Sequence, residues 1–222
     1  MEKYLILDFG RVLAYPTTGN WQITPKFMQL VNIETIDKDI LKKALKEHKD
    51  IISCGLDIKN CDDEYKCMLK FYEKILLDCN VHNYKSIAKD IAYNFVYEFD
   101  KYKLYSDVKI ALKRLSDKYK LILLSDNWPC VINYMKEKEI FDYFEKIYVS
   151  SIYGQVKEDK LFFDNPIRDF NIKEFEAIFI DDNENLLDIA VEKNMKVKLM
   201  DRDKKIINSK YDIIYGLDEI LV

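Results

Sequence analysis

The chain has 222 residues, 49% of them hydrophobic and 33% charged, with a net charge of -4. That length accommodates one α/β core of about 130 residues plus an insert, and the composition is that of a globular chain. The acidic balance excludes broad phosphate neutralisation along a nucleic acid, although a small phosphorylated ligand needs only a few local cations. No apolar run reaches the length of a membrane span, and the opening MEKYLILDFG is too short and too acidic for a secretory signal. Cys54, Cys61, Cys67, Cys79 and Cys130 are odd in number and lack CxxC spacing. They read as reduced thiols of a cytoplasmic protein, with a zinc site between 54 and 79 as the weaker alternative. His48 and His82 are the only histidines, which gives poor support to a His-centred triad.

In chain order, Lys3–Asp8 (KYLILD) is the first apolar run of strand length. Residues from about 16 to 100 then carry amphipathic helical patterns: Pro25–Val31, Asp37–Asp50, Asp62–Cys79 and Tyr84–Phe99. Phe71, Tyr72, Phe95 and Phe99 fall at helical spacing there and read as the insert's own core. Asp107–Tyr119 predicts a helix with Val108, Ala111, Leu112 and Leu115 on one face. Strands follow at Lys120–Ser125, Lys146–Ser150, Ala177–Asp181 and Lys196–Met200. Between the last two, Asn183–Asn194 predicts a helix with Leu186, Leu187, Ile189, Ala190 and Val191 inward and Asn194 as its left-handed stop. Continuous apolar strands separated by helices suit a parallel sheet covered on both faces. The expected fold is therefore α/β, a Rossmann-like parallel sheet with an inserted α-helical cap. Residues 1–14 and 101–222 form the core, and 15–100 form the cap.

Ligands of such sheets bind beyond the carboxyl ends of the strands. Those ends carry Asp8-Phe9-Gly10-Arg11, Ser125-Asp126-Asn127, a loop leading to Lys157, and Asp181-Asp182-Asn183. Carboxylates, a hydroxyl and a lysine delivered to one edge suit phosphoryl transfer. An aspartate can attack phosphorus and form an aspartyl phosphate. A hard cation must then stand between two anions, and magnesium prefers carboxylate oxygens. Asp8 and Asp182 can each give one oxygen and the strand-one loop a carbonyl. Ser125, Asp126 and Lys157 form the phosphate-binding group, with the lysine neutralising charge on the transferring group. Each residue has a blander reading. Asp8 alone could cap a turn, Ser125 could cap a helix, Lys157 could be a solvated lysine, Asn183 and Asn185 cap the helix that follows, and Arg11 is a solvated arginine. Tyr15, Trp21 and Tyr153 are candidates to line the cleft.

These segments resemble the haloacid dehalogenase superfamily. LILDFGRVL is similar to its first motif with Asp8 as nucleophile, KLILLSDNW to its second with Ser125, GQVKEDKLFF to its third with Lys157, and AIFIDDNENLLDIA to its fourth with Asp181 and Asp182. The third motif departs from the family's Lys-Pro, having Glu158. The resemblance covers residues 3–14 and 104–200 and implies Mg²⁺ held by Asp8, the Gly10 carbonyl and Asp182, with Asp181 adjacent or linked through water. It implies a phosphatase acting on a small phosphorylated metabolite, with no nucleic-acid or membrane partner and a monomer by default. One departure matters most. Most phosphatases of the family have a second aspartate two residues after the nucleophile, where this chain has Gly10. Sugar-phosphatase-like members also have Gly there. Three outcomes are open: a substrate with a good leaving group, such as an anomeric sugar phosphate or acyl phosphate; an acid supplied by Asp126 or the cap; or a catalytically weak binding or regulatory protein. A metal-independent 2-haloacid dehalogenase is the remaining alternative, and the Asp181-Asp182 pair stands against it.

Overall fold

The computed structural model describes residues 3–53 and 58–221. Its centre is a six-stranded sheet in the order β5-β4-β1-β6-β7-β8, with every pair parallel. The strands are β1 (Tyr4–Leu7), β4 (Lys120–Ser125), β5 (Phe144–Val149), β6 (Ala177–Asp181), β7 (Lys196–Met200) and β8 (Ile213–Ile214). A second, antiparallel pair, β2 (Ala14–Pro16) with β3 (Tyr102–Leu104), carries the chain out of the core and back. The strands lack polar alternation because both faces are covered. Leu5, Leu7, Leu121 and Leu123 pack on one side against α5 (Val108–Ser116) and α6 (Cys130–Glu137). Ile6, Ile122, Leu124 and Phe179 pack on the other side against α8 (Leu161–Phe170) and α9 (Glu184–Glu192). A four-residue α7 (Ser150–Tyr153) continues β5.

The insert is helical throughout its described part: α1 (Pro25–Leu30), α2 (Lys38–Glu47), α3 (Cys61–Asp78) and α4 (Tyr84–Tyr97). Side chains start the first three. Thr24, Asp37 and Asn60 accept hydrogen bonds from exposed first-turn amides, which otherwise lack partners. The four helices bury a separate core around Phe71, Tyr72, Ile75 and Ile91. That core also takes in Trp128 and Cys130 from the segment after β4, so cap and sheet share an apolar seam.

A buried charged group lies in the seam. Glu64 of α3 is fully buried and accepts the Cys130 amide at 2.8 Å. Lys101 Nζ, at the chain's return from the insert, lies 4.0 Å from Glu64, donates to Cys130 Sγ at 3.2 Å and sits 3.3 Å over the Phe95 ring. Burial raises the Glu64 pKa, with Lys101 working against that rise.

Three details differ from the sequence expectation. Val191 is exposed and Ile189 half-buried, because the sheet-facing stripe of α9 is narrower than its apolar run. Phe99 packs against the sheet core rather than the cap core. Ser125 caps no helix: it ends β4, and α6 starts only at Cys130. Asn194 does take the left-handed conformation (φ 58°) just past α9. Cys61, Cys67, Cys79 and Cys130 are free thiols, Cys54 lies outside the described residues, and no cysteine belongs to a metal-binding cluster among the described residues. No helix among the described residues is long and apolar enough to cross a membrane.

Candidate active site

The register of the parallel strands builds the site. Leu7 pairs with Leu123 and with Ile180, so the next residue, Asp8, stands beside Asp181 at the carboxyl edge. The Asp8 amide donates to the Ile180 carbonyl at 3.1 Å, which fixes the strand end. The following loop turns tightly: Leu13 and Ala14 amides both reach the Phe9 carbonyl, and Arg11 adopts a left-handed backbone (φ 56°). One carboxylate oxygen from each of Asp8, Asp181 and Asp182 lies within 4.8 Å of the others, and no other such cluster occurs among the described residues.

Lys157 stands in the middle. Its ammonium donates to Asp181 Oδ2 at 2.6 Å and lies 2.8 Å from Asp8 Oδ1, an ion contact outside hydrogen-bond alignment. Burial disfavours the charged lysine, but Asp181, Asp8 and Asp126 outweigh burial and hold its pKa above the ordinary range. The Lys157 amide donates to Asp126 Oδ1 at 2.9 Å, so Asp126 is tied to the same loop. Asp181 is engaged at both oxygens, Oδ1 accepting the Asn183 amide. Asp182 has an Arg11 contact at 3.7 Å. Ser125, buried beneath, has a hydroxyl without a hydrogen-bond partner among the described residues.

Four carboxylates (Asp8, Asp126, Asp181 and Asp182) thus face two cations, Lys157 and Arg11. Burial is the first cause that raises each of Asp126, Asp181 and Asp182, with Asp8's charge adding to all three; Asp126 and Asp182 are pushed up to about 6. With all six groups charged, two negative charges are left uncompensated, the charge of one divalent cation. A hard cation such as Mg²⁺ prefers the oxygen donors present here. The donor set therefore fits it.

Above this floor is a cavity of about 320 Å³. Asp8, Gly10, Arg11, Asp126, Asn127, Lys157 and Asp182 border it below. Trp21, Gln22, Ile52, Met68, Phe95, Tyr102 and Trp128 close it from the cap, the hinge and the segment after β4. Of the expected cleft aromatics, Trp21 lines it. Tyr15 instead stacks on Tyr105, and Tyr153 lies between Tyr148 and Phe162. Arg11 borders the cavity while its side chain stays 58% exposed, as a solvated arginine would be. Asn183 caps α9 by accepting the Asn185 amide, as its position predicts. Ser125 and Asp181 lie behind the cavity wall. Met68, Phe95 and Trp128 are wall residues that sequence reasoning missed, since periodicity marks a buried helix face without saying what it faces.

A doubly covered parallel sheet with an acidic centre at its carboxyl edge and a helical lid over it defines a capped α/β hydrolase. The chain belongs to the haloacid dehalogenase-like hydrolase family, whose model matches residues 6–201. Its structure is similar to that of L-2-haloacid dehalogenase from Xanthobacter autotrophicus (TM-score 0.71, 11% identity, 99% of this chain and 97% of that one). It is also similar to the HAD-hydrolase YfnB from Bacillus subtilis bound to magnesium (0.69, 13%, 99% and 96%). A third similar structure is a HAD phosphatase from Thermococcus onnurineus (0.65, 18%, 98% and 95%). At these identities the likeness is one of fold. No curated protein sequence matches the chain.

Proposed function

We propose that the chain is a Mg²⁺-dependent phosphatase that hydrolyses a small phosphorylated metabolite through an aspartyl phosphate on Asp8. The observation that carries this reading is the uncompensated carboxylate cluster around Lys157 at the floor of the cavity. Asp8, Asp182 and the Gly10 carbonyl would hold Mg²⁺, which would supply the positive charge that lets an anionic substrate approach an anionic nucleophile. Asp181, with both oxygens engaged, holds Lys157 in place. Lys157 neutralises charge on the transferring group, and Ser125 offers a hydroxyl that no protein group occupies. Asp8 attacks phosphorus from the floor, and water then cleaves the aspartyl phosphate, restoring the carboxylate.

The dehalogenase reading has one observation in its favour, the missing acid at Gly10, since a halide leaves without a proton. The same cluster opposes it, because a haloacid carboxylate would meet an excess of negative charge. The deciding experiment measures phosphate release from sugar, acyl and aryl phosphates, and halide release from 2-haloacids, each with and without Mg²⁺ and beside Asp8→Asn. Metal-dependent phosphate release lost in the variant supports the proposal. Halide release indifferent to metal overturns it.

A further inference from the structure

Gly10 leaves an opening beside the nucleophile, and the chain fills it with an indole. A Cβ at position 10 would lie 3.7 Å from Asp8 Oδ2 and 3.5 and 3.6 Å from Cζ2 and Cη2 of Trp21. These are ordinary contact distances, so the Trp21 ring, itself held edge-on against Tyr102, borders the place where a side chain at position 10 would start. The departing oxygen of a substrate attacked by Asp8 therefore meets aromatic carbon where an acid would otherwise stand.

In-line displacement sends the leaving group away from the attacking oxygen. Asp8 and Lys157 define the floor, and Asp126 is tied to that floor by the Lys157 amide. The leaving group thus enters the space under Trp21, Met68, Phe95 and Trp128. Among the described residues this upper wall holds no carboxylate, histidine or lysine, and its polar groups are the Gln22 amide, the Tyr102 hydroxyl and the indole N–H donors of Trp21 and Trp128. A polyol can stack one face on an indole, but the hydroxyls around its rim would outnumber the polar groups of this wall and stay largely unpaired. A flat conjugated group matches this wall on both faces. The cavity volume also lies at the small end of the range for ligand sites, roughly 300–1,000 Å³.

Resting on the phosphatase reading, we propose that the substrate is an aryl phosphate, whose leaving group is flat, apolar and stable as an anion. Asp8 Oδ forms a bond to phosphorus as the bond from phosphorus to the aryl oxygen breaks. The electron pair stays on that oxygen, which leaves as phenolate and takes a proton from water afterwards. Water then adds to phosphorus, the bond from phosphorus to Asp8 Oδ of the acyl phosphate breaks and restores the carboxylate, and inorganic phosphate carries the remaining protons.

The test is kcat/KM for phosphate release, with Mg²⁺, across ring-substituted phenyl phosphates of rising phenol acidity, beside glycerol phosphate and glucose 1-phosphate. The expected series is steep, spanning ~10²-fold or more, the size of the help a general acid gives. Phenyl phosphate is expected to exceed glycerol phosphate by a similar factor. In the double variant Gly10→Asp/Trp21→Ala, with folding checked by circular dichroism, the series flattens and glycerol phosphate improves. A flat wild-type series, or a polyol phosphate turned over better than phenyl phosphate, overturns the aryl assignment and leaves the phosphatase reading standing. An unchanged slope in the folded double variant also overturns it. Phosphate release from none of these compounds overturns both.

Discussion

The floor and the ceiling of the cavity are built in different ways. The floor takes Asp8, Asp126, Asp181 and Asp182 from strand ends whose register is set by backbone hydrogen bonds, with Lys157 added from the loop before α8. The ceiling takes its side chains from widely separated places in the chain, brought together by helix packing and by the shared seam at Trp128 and Cys130. The floor carries charge that the protein does not neutralise itself, whereas the ceiling carries almost none. On the proposed function, chemistry sits on the sheet edge and selection on the cap.

Removing the nucleophile separates the two sides most sharply. Asp8→Asn is expected to reduce phosphate release to background while the cavity wall stays folded, checked by activity and circular dichroism together. The seam under the ceiling gives the largest stability effect. Glu64→Ala leaves Lys101 buried without its partner and is expected to cost about 3–5 kcal/mol in urea unfolding. Replacing both by apolar residues, Glu64→Leu with Lys101→Met, should recover most of that loss.

Ser125→Ala is a purer test of the floor. The hydroxyl has no partner in the structure, so its loss should leave the unfolding midpoint almost unchanged. Loss of one donor to developing charge should lower kcat by about 10²-fold. An equal loss of stability would contradict the assignment.

The smallest effect is electrostatic. Burial raises Asp126 to about 6 in the folded chain, above the ordinary value near 4. The folded state therefore binds the proton more tightly than the unfolded state. This group contributes no penalty below pH about 4 and a growing one as pH rises towards about 6. Without divalent cations, Asp126→Asn should gain stability relative to wild type across that window, on the order of 2 kcal/mol by pH 7. An advantage that is independent of pH would contradict it.

The floor was largely legible in the sequence for the same reason it is rigid. An apolar run ending in Asp8, Ser125 or Asp181 places that residue at a sheet edge. The neighbouring ceiling was not legible. Met68 and Phe95 carry the period of a buried helix face, and the sequence does not distinguish a face turned to a core from one turned to a cavity. Glu64 follows Asp62 and Asp63 at the start of α3, where three acids read as ordinary first-turn charges. Only the docking of α3 on the amide of Cys130 singles Glu64 out. Trp21 lies in an irregular stretch, and its meeting with Gly10 depends on how the chain folds back from β2. Val191 shows the opposite error, an apolar residue assigned inward by composition where the helix needs a narrower stripe.

A bond between Asp8 and phosphorus is detected by acid-quenching the chain during turnover of phenyl phosphate and weighing its peptides by mass spectrometry. One phosphoryl group is expected on the peptide that contains Asp8, formed only with Mg²⁺ and absent in Asp8→Asn. An ester between Asp8 and the carbon of a 2-haloacid, formed without metal, would contradict it, as would phosphate release with no adduct on that peptide.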